Sequence, residues 1–197
     1  MKVLLLGGTG RLGAQVRAAL ERERVAVNAP TRTQLDLVAM KAPEAWRPWL
    51  REVDVIVHAA GWLREEDGNS HLTQLIAARS LFFAAFTGSV RRVVHVSCAG
   101  ADEHACGGYH AAKGAADAFL RILDIDSTIV RPGALYTESP GRARLFHPLA
   151  LTLEWPGPLP MTRIDQAVAT IVDAVLAAPL GAREVIEQAE PQLARSA

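Results

Sequence analysis

The sequence predicts an α/β protein whose core is a doubly wound parallel sheet in a three-layer α/β/α arrangement. Short apolar segments rich in valine, isoleucine and leucine recur along the chain, as expected for parallel strands that are buried on both faces. Longer segments of helical character separate them, and this alternation of strand and helix is typical of the fold class. We expect strands at residues 2–6, 25–29, 53–59, 91–97, 127–131 and 184–188. We expect helices at residues 11–22, 39–50, 68–87, 107–123 and 165–178.

Length and composition favour one domain that binds a small molecule. A chain of 197 residues, half of them hydrophobic, is long enough for one complete α/β domain but not for a second large domain. We therefore expect residues 1–197 to form a single domain. A segment at about 137–163 is expected either to cover part of the substrate cleft or to be a surface connection packed on the core. The formal net charge is +0 and no basic run occurs, so the sequence predicts no binding to nucleic acid or to an anionic membrane.

No pattern in the chain predicts secretion, membrane insertion or a metal site. The first apolar run, residues 3–6, is too short for a signal peptide, and no run approaches the length that spans a bilayer. Cys98 and Cys106 are too few for a disulfide framework, and their spacing fits no metal motif. No histidine pairs with a carboxylate at metal-site spacing, and His95 is expected in the core or in an interface. These features predict a reduced, cytoplasmic protein.

A glycine-rich turn follows the first predicted strand and leads directly into the first predicted helix. Gly7 permits a tight turn, Gly10 lets backbone amides approach an anion, and Gly13 allows the helix to pack close to the strand. The start of the helix adds unsatisfied N–H groups and a partial positive charge. This arrangement is typical of the Rossmann fold, where it holds the pyrophosphate of a nicotinamide dinucleotide. The predicted binding residues in this turn are Gly7, Thr9, Gly10, Arg11, Leu12 and Gly13.

The segment after the second predicted strand indicates which nicotinamide dinucleotide binds. An acidic residue at this point holds the ribose 2′-hydroxyl of NAD, whereas an arginine suits the 2′-phosphate of NADP. Residues 29–33 contain Arg32 and no carboxylate. Arg11 could supply a second guanidinium, although either arginine could equally be a solvated surface charge. The sequence favours NADP, with NAD as the alternative.

Several further motifs resemble the short-chain dehydrogenase/reductase superfamily, specifically its short atypical branch related to NAD(P)-binding NmrA-like proteins. The motifs are residues 7–13, 35–37, 57–61, 96–100, 109–113 and 131–136. The resemblance implies that Asp36 and Leu37 lie along the adenine ring. It also implies cofactor contacts by the segments that follow the third and fifth predicted strands. These contacts are assigned to Ala59, Ala60, Gly61, Pro132 and Gly133.

Tyr109 and Lys113 are the predicted catalytic pair. At a spacing of four residues both side chains fall on one face of a helix, where an ammonium can lower the pKa of a phenol and make it a proton acceptor near neutrality. The resemblance implies that Lys113 also binds the nicotinamide ribose. Ser97 is the expected hydrogen-bond donor to the substrate oxygen. Cys98 is the alternative for that position, with a thiol that donates more weakly.

The sequence therefore predicts an NADP-dependent oxidoreductase that moves a hydride between the nicotinamide and a small carbonyl or alcohol substrate. Two other functions stay open, namely a non-catalytic NAD(P)-binding redox sensor or accessory subunit, and an epimerase with a tightly held cofactor. Trp62 is expected either beside the nicotinamide or simply buried at the sheet edge. The substrate is not encoded in any motif. The helices predicted at 68–87 and 107–123 could form the interface of a homodimer or could serve only to cover the sheet.

Overall fold

A computed structural model describes residues 1–61, 71–105, 108–139, 142–145, 160–178 and 183–188 of the chain. In chain order, the main sheet contains β1 (Lys2–Leu6), β2 (Ala26–Asn28), β3 (Val55–His58), β4 (Arg92–Val96), β5 (Asp126–Pro132) and β9 (Arg183–Gln188). The helices are α1 (Arg11–Arg22), α2 (His71–Phe86), α3 (Gly108–Ile122) and α4 (Ile164–Leu176). A short 3₁₀ helix spans Pro43–Trp46. Three further strands are β6 (Ala134–Ser139), β7 (Arg142–Leu145) and β8 (Met161–Arg163).

The main sheet is parallel, and its strand order is β2-β1-β3-β4-β5-β9. The predicted strands and the doubly wound Rossmann arrangement are thereby confirmed. From β1 the chain first adds β2 on one side and then crosses to β3 on the other side. Ligands of such sheets bind beyond the carboxyl ends of the strands where the direction of winding reverses. The reversal between β1 and β3 places the candidate site at the glycine turn.

The core lies on both faces of this sheet, because successive side chains of a strand point to opposite sides. On one face Leu4, Ile56 and Val93 pack with residues of α2 and α3. On the other face Val3 and Val57 pack with residues of α1 and α4. Helices therefore cover both faces, and the predicted three-layer arrangement is confirmed. Each of these fully buried aliphatic side chains contributes roughly 1.5–3 kcal/mol relative to full exposure.

The register of neighbouring strands aligns two histidines at the centre of the sheet. Leu6 of β1 pairs with His58, the last residue of β3. His58 in turn pairs with His95 of β4. Since adjacent parallel strands carry paired residues on the same face, the two imidazole rings lie side by side.

The helix predicted at 39–50 is wrong. That region contains turns and the 3₁₀ helix Pro43–Trp46. Pro43 and Pro48 lack the N–H groups that a continuous α-helix needs, which explains why the apolar pattern does not become one. Trp46 nevertheless belongs to the core: its side chain is fully buried and its indole N–H donates to Oγ of Ser80 over 3.0 Å.

A second, three-stranded sheet was not predicted. Its order is β7-β6-β8, with β6 antiparallel to β7 and parallel to β8. These strands are short and do not stand out as apolar runs, so they carry little periodic signal. The sheet occupies part of the segment expected to cover the cleft. Residues 140, 141 and 146–159 of that segment, and Trp62, lie outside the described residues. In the part of the chain that is described, no helix has the length and apolar character to cross a membrane.

Candidate functional site

The glycine turn is packed so closely that side chains would not fit at two of its positions. Gly7 has a φ of +87°, and a Cβ atom there would lie 2.7 Å from the carbonyl oxygen of Ala59. A Cβ atom on Gly13 would lie 2.1 Å from the carbonyl oxygen of Gly7. The turn is closed by the Gly10 amide, which donates to the Gly7 carbonyl over 2.9 Å. These contacts hold the backbone of β1, the turn and α1 in one tight unit.

The start of α1 is suited to an anion. No side chain caps its first turn, and no acidic residue is present there. The unsatisfied N–H groups and the partial positive charge of the helix end are therefore available to a ligand. A negatively charged diphosphate is the ligand that this combination of a glycine turn and a helix start is built to receive.

A cleft of about 260 Å³ opens beside this turn, between the ends of β1, β2 and β3. It is lined by Leu6, Gly7, Thr9, Gly10, Pro30, Arg32, Leu35, Asp36, Leu37, Ala59, Ala60 and Gly61. Most of the residues expected to bind the dinucleotide are thus brought to one cleft. The other three predicted residues of the turn do not line it. Arg11 is exposed, Leu12 packs against the core, and Gly13 is buried against Gly7.

At the outer end of the cleft, the loop after β2 carries Arg32 with an exposed side chain. The loop is ordered by its own polar groups: the Thr31 amide donates to Oε1 of Gln34 over 2.8 Å. Asp36 also lines the cleft, and its Oδ1 accepts the Val38 amide over 3.0 Å. The guanidinium and the ordered loop therefore stand where an adenosine ribose would bind.

A small cavity of about 20 Å³ lies beside the inner end of the cleft. Leu37, Ala60 and Gly61 line both spaces, so the two are adjacent. Tyr109 and Lys113 of α3 line the inner cavity, as the helical spacing predicted. The sheet and α3 thus place the predicted tyrosine and lysine next to the cleft.

Lys113 is buried, and its ammonium is fixed by the backbone. Nζ donates to the carbonyl oxygen of Val96 over 2.9 Å and lies 6.0 Å from the centre of the Tyr109 ring. Burial lowers the pKa of Lys113, while the nearby Cys98 and Asp117 act in the opposite direction.

The pKa of Tyr109 shifts in the direction opposite to the one expected from the sequence. Burial raises the pKa of its hydroxyl, and Cys98 adds to the increase. Because the Lys113 ammonium is held by Val96 and lies 6.0 Å from the ring, it does not overcome this desolvation. Tyr109 therefore carries its proton at neutral pH.

The expected substrate donor, Ser97, faces into the protein. Its side chain is buried, and Oγ donates to Oδ2 of Asp117 on α3 over 2.9 Å. Cys98 is the residue that interacts electrostatically with both Tyr109 and Lys113. Burial raises the pKa of the Cys98 thiol to about 12, so the thiol stays protonated. Of the two alternatives for the donor position, the structure places Cys98 beside the tyrosine and lysine.

Pro132 and Gly133 line neither of these spaces. The Pro132 carbonyl accepts the Ala99 amide over 2.8 Å, and the Gly133 amide donates to Oγ1 of Thr162 over 2.8 Å. A Cβ atom on Gly133 would lie 2.3 Å from the Pro160 carbonyl oxygen. The structure uses these two residues to join the main sheet to the second sheet.

A buried polar chain beneath the inner cavity was missed from the sequence. Nδ1 of His58 lies 2.9 Å from Nδ1 of His95. Nε2 of His95 lies 3.3 Å from Oδ1 of Asp117. The other carboxylate oxygen of Asp117, Oδ2, accepts a hydrogen bond from Nε of Arg131 over 2.9 Å. The sequence held two signals of this chain: a histidine near the end of each of two neighbouring predicted strands, and an aspartate four residues after Lys113.

The chain is similar to several known proteins. A family model described as NAD(P)H-binding matches residues 7–179. No curated protein matches the sequence. Among solved structures, the chain is similar to the oxidoreductase ylbE from Lactococcus lactis, with 24% sequence identity and a TM-score of 0.68. That alignment covers 97% of this chain and 92% of the other.

Two further solved structures were determined with different dinucleotides. The dTDP-4-dehydrorhamnose reductase from Bacillus anthracis, in complex with NADP, has 17% identity and a TM-score of 0.67, covering 94% of this chain and 74% of that one. The UDP-glucose 4-epimerase from Thermus thermophilus, in complex with NAD, has 16% identity and a TM-score of 0.70, covering 96% of this chain and 78% of that one. At these identities the likeness establishes a shared fold.

Proposed function

The chain belongs to the NAD(P)H-binding family, and from that premise we propose that it is an NADP-dependent oxidoreductase acting on a small carbonyl or alcohol substrate. The observation that carries the proposal is the adjacency of the cleft and the inner cavity. The cleft lies against the glycine turn and Arg32, and the cavity beside it is lined by Tyr109 and Lys113. Groups suited to a diphosphate therefore lie next to groups suited to proton transfer.

The residues present fit such a cofactor. Gly7 and Gly13 leave no room for side chains, and the close backbone path between them is the cradle that a diphosphate requires. Asp36 and Leu37 would border the adenine, and residues 59–61 would run beneath the cofactor. When bound, the cofactor supplies or accepts the hydride. The protein supplies position, a proton at the Tyr109 hydroxyl and the buried ammonium of Lys113.

The preference for NADP rests on Arg32. Its exposed guanidinium at the rim of the cleft can approach a 2′-phosphate and donate two hydrogen bonds to it. Of the ordered loop residues 29–33 that surround it, none is a carboxylate that would favour the NAD ribose. Structures of similar fold hold either NADP or NAD, so the fold leaves this choice to the residues of the loop.

The raised pKa of Tyr109 favours the reductive direction. A hydroxyl that keeps its proton at neutral pH can give that proton to the oxygen of a carbonyl as the hydride reaches its carbon. Lys113 lies on the same helix face, where its charge stabilises the phenolate left behind. The thiol of Cys98 is the nearby group that would polarise the carbonyl, and it is a weak donor.

Cys98 is also the observation that favours a second candidate function. With the Ser97 hydroxyl bonded to Asp117 and only a thiol beside Tyr109, the site is poorly equipped to polarise a carbonyl. A protein that binds NADP and signals its redox state to a partner needs the cleft but not this donor. We keep that non-catalytic sensor as the alternative.

Titration of the full chain with NADPH and with NADH, followed by calorimetry and thermal unfolding, tests cofactor binding. NADPH at about 100 times its Kd would stabilise the protein by about 2.7 kcal/mol and raise Tm. Absence of both heat and stabilisation with either nucleotide contradicts the proposal.

A panel of carbonyl compounds with NADPH then separates the enzyme from the sensor. Tyr109→Phe should lower turnover by at least about 100-fold while changing NADPH affinity less than about twofold. The other tyrosine of the chain provides the matched control, because Tyr136→Phe removes the same hydroxyl outside the described lining of the cavity. Binding of NADPH without reduction of any carbonyl favours the sensor.

A further inference from the structure

Three buried side chains form a continuous polar chain beneath the inner end of the cleft. His58, His95 and Asp117 are exposed by 5%, 0% and 1% respectively. We call them the histidine–aspartate chain. Its two contacts are 2.9 Å between the Nδ1 atoms of the imidazoles and 3.3 Å between Nε2 of His95 and Oδ1 of Asp117. Burial without water makes each proton position in such a chain energetically significant.

The proton positions follow from the carboxylate. Although burial alone would raise the pKa of Asp117, its contacts with His95, Ser97 and Arg131 lower it, so Asp117 is ionised and can only accept. Nε2 of His95 is then the nitrogen that carries the proton, since neither it nor Oδ1 has another partner among the described residues. The distance of 3.3 Å is long for a hydrogen bond. Because Asp117 is ionised and can only accept, the proton in this contact nevertheless belongs to His95.

The position of the proton on His95 determines its position on His58. Burial lowers the pKa of both histidines, so each ring is neutral and carries one proton. With its proton on Nε2, His95 has a lone pair on Nδ1. The short contact between the two Nδ1 atoms then requires His58 to donate from Nδ1. Nε2 of His58, at the opposite edge of the ring, is left without a proton.

We propose that His58 is a hydrogen-bond acceptor on the inner wall of the cleft, with its proton position set by Asp117 through His95, and that its Nε2 accepts from the Tyr109 hydroxyl through one water molecule. His58 lines the inner cavity together with Tyr109 and Lys113. A cavity of about 20 Å³ has the size of a single water molecule, which can join the groups that line it. The role toward Tyr109 rests on the proposed function, whereas the polarity of the chain does not.

The chain positions the Tyr109 hydroxyl and moves no proton. Asp117 is 1% exposed and Arg131 helps to keep its pKa low, so a proton passed along the chain would meet a weak acceptor with no outlet to solvent. His58 is therefore a positioning residue for Tyr109.

The surroundings of the chain support this assignment. Lys113 is the cation that faces both imidazoles, and it disfavours a positive charge on either one. Phe82 of α2 packs edge-on against both rings, with centroids 5.6 Å from His58 and 5.1 Å from His95, and adds no charge. The two rings stack at 5.0 Å. Lys113 and Asp117 from α3 are therefore the charged groups that decide the protonation of the pair.

Nitrogen-15 NMR of the full protein labelled on histidine tests the inference directly, since the chemical shifts of the two ring nitrogens report which one carries the proton. His58→Gln and His95→Gln assign the signals. At neutral pH we expect His58 protonated on Nδ1 alone and His95 on Nε2 alone. The opposite tautomer at either ring, or a doubly protonated ring, would overturn the inference.

Asp117→Asn provides a sharper test because it should reverse the chain. Ser97 and Arg131 both donate to the position of Oδ2, so the asparagine oxygen must lie there and its NH₂ group must face His95. His95 then accepts at Nε2 and donates from Nδ1, and His58 becomes protonated on Nε2. Unchanged tautomers in a folded Asp117→Asn protein contradict the inference. If this variant does not fold, the wild-type tautomers decide alone.

The same samples separate this inference from the proposed function. If NMR shows the expected tautomers but the protein binds no NADPH, the proposed function is contradicted and the polarity of the chain still holds. NADPH binding together with the opposite tautomers would contradict only the role proposed for His58.

Discussion

The hydroxyl of Ser97 donates to Oδ2 of Asp117 over 2.9 Å, while the neighbouring Cys98 is the side chain that interacts with Tyr109 and Lys113. The residue expected to bind substrate from the sequence is thus a structural partner of a buried carboxylate. Two neighbouring positions of the chain thus have different partners: Ser97 is bonded to Asp117, and Cys98 acts on Tyr109 and Lys113. Substitutions of Ser97 and of Cys98 should therefore have different effects.

Ser97→Ala should affect stability more than turnover. Removing one donor from the buried Asp117 carboxylate should cost about 1–3 kcal/mol of unfolding free energy. The kcat for carbonyl reduction should stay within about twofold of wild type, because the hydroxyl does not face Tyr109. Urea denaturation and steady-state kinetics measure the two quantities. A fall in kcat at unchanged stability would return Ser97 to the role of substrate donor.

Cys98→Ser should raise kcat, by about tenfold, because a hydroxyl beside Tyr109 donates more strongly to a developing oxyanion than a thiol does. Cys98→Ala is the matched control and should resemble wild type if the thiol contributes little. Equal turnover of the serine and alanine variants would show that this position does not contact the substrate oxygen.

Gly13→Ala should abolish cofactor binding. The added Cβ would lie 2.1 Å from the Gly7 carbonyl oxygen, so the turn and the start of α1 must separate. We expect Kd for NADPH to rise at least about tenfold, because misplaced amides no longer converge on the diphosphate. Ala18→Gly, at an exposed site of the same helix, lowers helix stability by about 1 kcal/mol without touching the turn. Calorimetry should show near-normal affinity for this control and lost affinity for Gly13→Ala.

Arg32→Ala should weaken NADPH binding and spare NADH binding. Loss of a charge-assisted contact to the 2′-phosphate costs about 1.5–3 kcal/mol, or roughly 10- to 150-fold in Kd. Arg47→Ala removes an exposed arginine that does not line the cleft and should change neither Kd. Equal losses for NADPH and NADH in Arg32→Ala would place the arginine away from the 2′-phosphate.

Stability should fall as the pH decreases below about 6.5. Burial holds the pKa of His58 and His95 below that ordinary value, so the unfolded chain takes up protons that the folded protein does not. Each histidine then removes about 1.4 kcal/mol of unfolding free energy per pH unit below 6.5, until its folded pKa is reached. Urea denaturation between pH 8 and pH 5 measures the slope. His58→Gln should make this slope smaller by the contribution of one histidine, about 1.4 kcal/mol per pH unit. Identical slopes for the wild type and the variant would show that His58 is not a buried, neutral residue.

His58→Leu should also misplace the Tyr109 hydroxyl, because leucine has no acceptor. We expect kcat for carbonyl reduction to fall about tenfold, with Kd for NADPH nearly unchanged. His58→Gln can still donate to His95 and accept at Oε1, so it should keep kcat closer to wild type. The exposed His104 provides the control variant, His104→Gln. Equal losses of kcat in the leucine and glutamine variants would indicate a packing role for His58.

The close backbone path of the glycine turn was predicted from the sequence because it depends on local geometry. Gly7, Gly10 and Gly13 act within one turn between a strand and a helix, and their spacing alone dictates a close backbone path. The same holds for Tyr109 and Lys113, whose common face follows from helical spacing. Such features are set over a few residues, so the sequence carries them in full.

The proton-transfer end depended on contacts between distant segments. The partner of Ser97 was decided by where the end of β4 meets α3 and by Asp117, which lies 20 residues further along the chain. The sign of the Tyr109 pKa shift came from burial, which spacing does not reveal.

Considered by itself, the sequence determined the strands of the main sheet, the four α-helices, the close glycine turn and the common helix face of Tyr109 and Lys113, because periodicity and glycine spacing act locally. The tertiary structure alone decided the second sheet, the pairing of His58 with His95 and the partner of Ser97. These depend on the register and packing of segments that are far apart in the chain, and their energies exist only once water has been excluded from between them.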